Sequence, residues 1–212
     1  MKKFPLLAAL FLGLTALCFA RGGGDLEVFG GAPVILERGE LLGEDATTRI
    51  TSLSLGYAWM SPINERVALG FHNEIIFPLW LELSVDGETT SLTRSDYNLL
   101  VGMSFLFGPV FHLYSGDRIS VPLTAGIRWM WLAATTSSVS IFGNNFGLGA
   151  GIGTNFNIGE RTYIFGRMMM YYDFFSLSTM EVTTWLGRFS RTSSGFINSF
   201  GIAPHIGVGF TF

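Results

Sequence analysis

Cysteine and lysine are almost missing from this 212-residue chain: Cys18, Lys2 and Lys3 are the only ones, all within the first twenty positions. Residues 21–212 therefore offer neither disulfides nor thiol chemistry. The same stretch sets eleven arginines against sixteen carboxylates, a difference of −5, which excludes the basic stripe of a nucleic-acid surface. Charge of either sign is scarce. Only 14% of residues are charged, against roughly a quarter in soluble domains, so a fully wetted surface is hard to build. Also lacking after Ala20 is any long continuous apolar run, which excludes a membrane-spanning helix there. Yet 49% of the chain is hydrophobic and the mean hydropathy is +0.42. The apolar residues must be distributed some other way.

That way is alternation. From Phe200 to the end, Phe200, Ile202, Pro204, Ile206, Val208, Phe210 and Phe212 occupy one parity. Gly201, Ala203, His205, Gly207, Gly209 and Thr211, all small or polar, occupy the other. Successive side chains of a strand point to opposite faces, so this is a strand with one greasy and one small face. The same pattern recurs in stretches beginning near residues 26, 50, 67, 97, 119, 146 and 164, which predicts eight strands in one domain over 21–212. The cleanest run covers residues 67–85, where the odd positions are apolar except Asn73. Asp86-Gly87 closes it with a tight hairpin signal. Large apolar side chains on one face and Gly, Ala, Ser, Thr and Asn on the other invert a soluble barrel or sandwich. They fit an eight-stranded antiparallel up-and-down transmembrane β-barrel, greasy outside and small inside.

Connections near Ser61, Ser115 and Gly159 read as short turns, and residues 37–48 and 176–194 as long polar loops, the latter carrying Trp185 and Phe189. Short periplasmic turns and longer external loops are the pattern of outer-membrane barrels. In that orientation Tyr57, Trp59, Phe105, Phe107, Phe210 and Phe212 fall near the periplasmic interface. Trp129, Trp131, Tyr172 and Phe174 fall near the outer one. The N-terminus, Met1-Lys2-Lys3 followed by an apolar run ending Cys18-Phe19-Ala20, reads as a secretory signal peptide cleaved after Ala20. A lipid anchor on Cys18 would want a small residue where Leu17 stands.

The final eight residues, His205-Ile206-Gly207-Val208-Gly209-Phe210-Thr211-Phe212, resemble the C-terminal β-signal of bacterial outer-membrane proteins. His205, Gly207, Phe210 and Phe212 occupy its polar, glycine, aromatic and terminal-Phe places. The resemblance implies insertion by the barrel assembly machinery. In size, strand count and closing strand, the chain also resembles the small eight-stranded families, most of all the outer-membrane protein W family. That resemblance implies passage of small hydrophobic molecules.

The small face gathers the residues that could carry chemistry: Glu27, His72, Glu74, Glu82, Arg128, Arg167, Asp173 and His205. Lone charges in a water-poor interior are costly, so a paired network is expected, joining Arg128 and Arg167 to some of Glu74, Glu82 and Asp173. Such a network fills and rigidifies a narrow barrel, or it forms a gate. No serine stands in a recognisable triad with His72 or His205, so no catalytic residue is assigned. His72, His112 and His205 have no metal-ligand spacing, and no metal or cofactor is assigned. The glycines of 147–153 lack the Lys-Ser/Thr of a phosphate loop and read as close packing.

The expected protein is therefore a monomeric outer-membrane barrel of a diderm bacterium, bathed in outer-membrane lipid. The expected activity is passive passage of small solutes, hydrophobic ones among them. The alternatives are a structural or host-interacting surface barrel and, behind it, a lipid-modifying barrel enzyme.

Overall fold

The computed structural model describes residues 23–41, 44–184 and 187–212. The expected leader and Trp185 lie outside them. Among the described residues the chain forms ten strand segments and one short 3₁₀ turn (Arg94–Asp96). The strands are β1 (Asp25–Gly31), β2 (Val34–Leu41), β3 (Glu44–Pro62), β4 (Val67–Val85), β5 (Glu88–Thr93), β6 (Leu99–Ser115), β7 (Ile119–Thr135), β8 (Val139–Asn157), β9 (Thr162–Thr184) and β10 (Gly187–Thr211). No helix among the described residues is long and apolar enough to cross a membrane.

Every pairing is antiparallel, and the sheet closes on itself because β10 bonds to β9 on one side and to β1 and β2 on the other. β1 and β2 are one barrel strand in two pieces, and β5 is an outer hairpin arm on β4. The wall therefore has eight strands, as the alternation predicts. Closure leaves no free edge inside the bilayer, where an unpaired N–H or C=O would be costly. The start of β1 and the end of β10 meet at the lower rim, where the Phe212 N–H donates to the Gly24 carbonyl at 3.0 Å. The short turns at 63–66, 116–118 and 158–161 lie at the same end.

The inside-out distribution holds. Leu55, Ile127, Leu148 and Ile206 are more than half exposed on the outer face. Glu27 and Glu74, by contrast, have no exposed surface at all. Four local expectations change. The first strand breaks at Ala32-Pro33, because Pro33 has no N–H for the ladder and neither has Pro204, which lies across from Ala32 on β10. The described residues of the 37–48 and 176–194 stretches are strand and not loop. β2 and β3 run on to Leu41 and Glu44, and β9 and β10 run on to Thr184 and Gly187, as polar ladders beyond the greasy band. Hydroxyl pairs hold the second ladder together, with Ser178 to Ser193 at 2.9 Å and Thr179 to Thr192 at 3.0 Å.

Third, β4 does not keep one parity. The partner of Thr51 is Trp80 while that of Ser52 is Pro78, so Leu79 is an extra residue that flips the faces above it. Leu81 turns inward and Glu82 outward. Fourth, the aromatic residues do not separate into the two belts assigned above. Phe105 and Trp129 are cross-strand partners whose rings stack at 5.1 Å, so they share one level. A continuous aromatic band climbs the outer face from Tyr57 through Phe71, Phe105, Trp129, Phe146 and Phe175 to Phe196.

Candidate functional site in the barrel interior

The interior is layered. At the lower end Met60, Ala68 and Val110 pack together, and Phe29, Ala58, Tyr163 and Phe165 form a second apolar cluster. At the upper end Ile35, Ile50, Ile76 and Met130 pack with Leu81 and Leu132. The polar layer lies against these clusters and overlaps the lower one, each member standing on the inward parity of its strand. Glu27 sits opposite Ala58 and beside Tyr163, and Arg128 and Asp173 lie nearer the middle.

Three units make up this layer. The Arg128 guanidinium pairs with the Asp173 carboxylate, both 1% exposed. Arg128 Nε also donates to Ser104 Oγ at 3.1 Å, and its guanidinium lies 4.2 Å from the centre of the Tyr171 ring. Arg167 Nη2 donates to Glu27 Oε1 at 2.7 Å, where the Tyr163 hydroxyl also donates at 3.2 Å. Glu74 has no arginine. It meets His205 Nε2 at 3.0 Å through one oxygen and accepts from the Tyr171 hydroxyl at 3.4 Å through the other. His72, His205 and Phe29 gather their rings beside it, with centroids 4.5–5.3 Å apart. Each ion pair keeps a guanidinium and a carboxylate mutually neutralised where water is scarce.

Seven of the eight predicted interior residues are buried here: Glu27, His72, Glu74, Arg128, Arg167, Asp173 and His205. The eighth, Glu82, is a correction. The bulge at Leu79 turns it outward, where it faces Arg49 at 3.5 Å in a solvent-exposed pair. The arginine partners also differ in part from expectation, since Arg167 takes Glu27 rather than a residue of the named set. Phe29, Ser104, Tyr163 and Tyr171 complete the layer and were not singled out from sequence. Their signal was available: Phe29 shares the parity of Glu27 on β1, Tyr163 and Tyr171 that of Arg167 and Asp173 on β9, and Ser104 lies on the small face of β6.

Glycine makes room for these side chains. A Cβ at Gly31 would collide with the His205 ring and Ser54 Oγ, one at Gly209 with the Tyr163 ring, and one at Gly149 with Leu106 and Tyr171. The glycines at 147, 149, 151 and 153 therefore do what close packing predicts. The assembly-signal residues divide by face: His205 and Gly207 point in, while Phe210 and Phe212 point out on the closing strand.

No protein-family model and no curated protein matches the sequence. Solved structures do match in fold. The outer membrane protein OprG from Pseudomonas aeruginosa shares 12% identity, over 89% of this chain and 96% of that one, with a TM-score of 0.57. The outer membrane protein AlkL, solved in lipid bilayers, shares 12% identity over 90% of both chains, TM-score 0.57. The outer membrane protease OmpT from Escherichia coli shares 8% identity, over 90% of this chain and 96% of that one, TM-score 0.50. The chain thus has the fold of the small outer-membrane β-barrels, consistent with an outer-membrane protein W-like architecture. Because one of these neighbours is a protease, the likeness carries fold and not activity.

Proposed function

We propose that the protein resides in the bacterial outer membrane and passes small apolar molecules inward without a continuous water-filled pore. The observation that carries this reading is the layering of the interior. An aliphatic upper layer of Ile35, Ile50, Ile76, Met130, Leu81 and Leu132 packs above paired charges and a packed lower end. An apolar solute gains by leaving water for contact with such aliphatic side chains, whereas an ion meets a dehydrated layer. Onward movement requires a way through the wall. The β1–β2 break is where the wall's ladders are thinnest. Pro204 returns no N–H to Ala32, which donates to it at 3.2 Å, and Pro33 returns none to Ser52 of β3, which donates to it at 3.0 Å.

The test is solute flux in proteoliposomes. Apolar probes should enter faster than polar probes of equal size, and Ile76→Asp should abolish the difference. Equal flux for both classes would contradict the reading. A second reading, a host-interacting surface barrel, rests on the β9–β10 ladder beyond the membrane band, which exposes Phe189 at 58%. Binding of cells to host matrix that is lost when residues 179–192 are deleted would favour it. An enzymatic role has less support: His205 Nε2 already faces Glu74 and not a nucleophile.

A further inference from the structure

The histidines that sequence spacing leaves unconnected come together in the fold. His72 and Glu74 lie two positions apart on β4, and His205 lies on β10, 131 residues from Glu74. One donor atom from each of the three falls within 4.8 Å of the other two, and all three residues are buried. We propose that His72, Glu74 and His205 form a binding site for a divalent first-row transition-metal ion, zinc first among them.

Two imidazoles and one carboxylate suit borderline metals of this class, and they leave a position for water. Three further observations point to a cation. His72 Nε2 and His205 Nδ1 are buried nitrogens without a hydrogen-bond partner, an arrangement that is costly in a water-poor interior unless something occupies it. Glu74 is the fully buried carboxylate that no arginine neutralises, since Arg128 serves Asp173 and Arg167 serves Glu27. Glu37 also faces this interior beside Asn145 and Asp173. Among the described residues, the inward carboxylates (Asp25 at the lower rim included) outnumber the two inward guanidiniums, an excess of negative charge that a bound cation offsets.

The surroundings hold the ligands in place. Phe29 backs both imidazoles, with centroids at 4.5 and 4.6 Å, and Tyr171 anchors the second oxygen of Glu74. Gly31 leaves the space that the His205 ring occupies. Ligand bonds of roughly 2.0–2.2 Å put tetrahedral donors roughly 3.4 Å apart. Capture of the ion therefore turns one imidazole out of the near-parallel stack and draws the three donors inward by about an ångström.

The experiment is elemental analysis of the full chain without a histidine tag, extracted in mild detergent from cells grown with zinc and washed with EDTA. X-ray absorption then reports the ligands. About one zinc per chain is expected, bound by nitrogen and oxygen donors with imidazole scattering. His112→Ala, which removes the remaining histidine, should keep it. His72→Gln, Glu74→Gln and His205→Gln should each lower the content at least about tenfold, the scale on which losing even an outer-shell partner weakens a metal site. Heat-modifiable migration establishes that each variant is folded. Wild type without zinc, or zinc unchanged in the three variants, would overturn the site. The wild-type result decides even where a variant does not fold.

Discussion

At the residue scale, the interior depends on matching each charge with its opposite. Asp173→Asn leaves Arg128 buried and unneutralised, and should cost about 3–5 kcal/mol of stability in a denaturant titration of the refolded barrel. Replacing both partners, Arg128→Met with Asp173→Leu, should recover most of that loss. A double variant no more stable than Asp173→Asn would mean that the pair does more than neutralise itself. Packing gives a second test. Gly209→Ala drives a Cβ into the Tyr163 ring, which also holds Glu27, and should cost about 1–3 kcal/mol by the same titration. The polar residues of this layer were largely legible in the sequence, because parity alone puts Glu27, Arg128 and His205 on the small face. Their partners were not. Which strands face each other across the lumen is a property of barrel closure, and no local pattern encodes that Arg167 meets Glu27.

At the scale of the element, alternation announced the eight strands of the wall but not the polar arm β5, and Asp86-Gly87 marked its hairpin, both residues having positive φ. In the polar stretches, composition and conformation diverge. The polar stretches 37–48 and 176–194 lack the apolar parity because they stand outside the bilayer, yet their backbones continue the ladder. The bulge at Leu79 was hidden in the sequence because Leu79, Leu81, Leu83 and Val85 are apolar on either face. Single cysteines test it. A membrane-impermeant maleimide applied to intact cells should label Glu82→Cys readily and Leu81→Cys several-fold more slowly. Faster labelling at position 81 than at 82 would restore the unbroken parity. The break at Pro33 was visible as a residue but not as a break, since a proline inside an alternating run is compatible with a bend or a barrel edge alike.

At the scale of the whole molecule, a greasy band outside, a closed hydrogen-bond ring and a charge-paired middle layer form one physical arrangement. The bilayer supplies the apolar solvent, closure satisfies the backbone, and an eight-stranded lumen is just wide enough for its own side chains. The packed charge layer should therefore seal the barrel to ions, with an aliphatic layer above it. Planar-bilayer recording of the purified full chain tests this most directly. The wild-type barrel should show no steady ohmic steps, and Arg128→Ser with Asp173→Ser, which empties the centre of the polar layer, should introduce them. Stable ohmic steps from the wild-type barrel would contradict the sealed interior and replace it with an open aqueous pore.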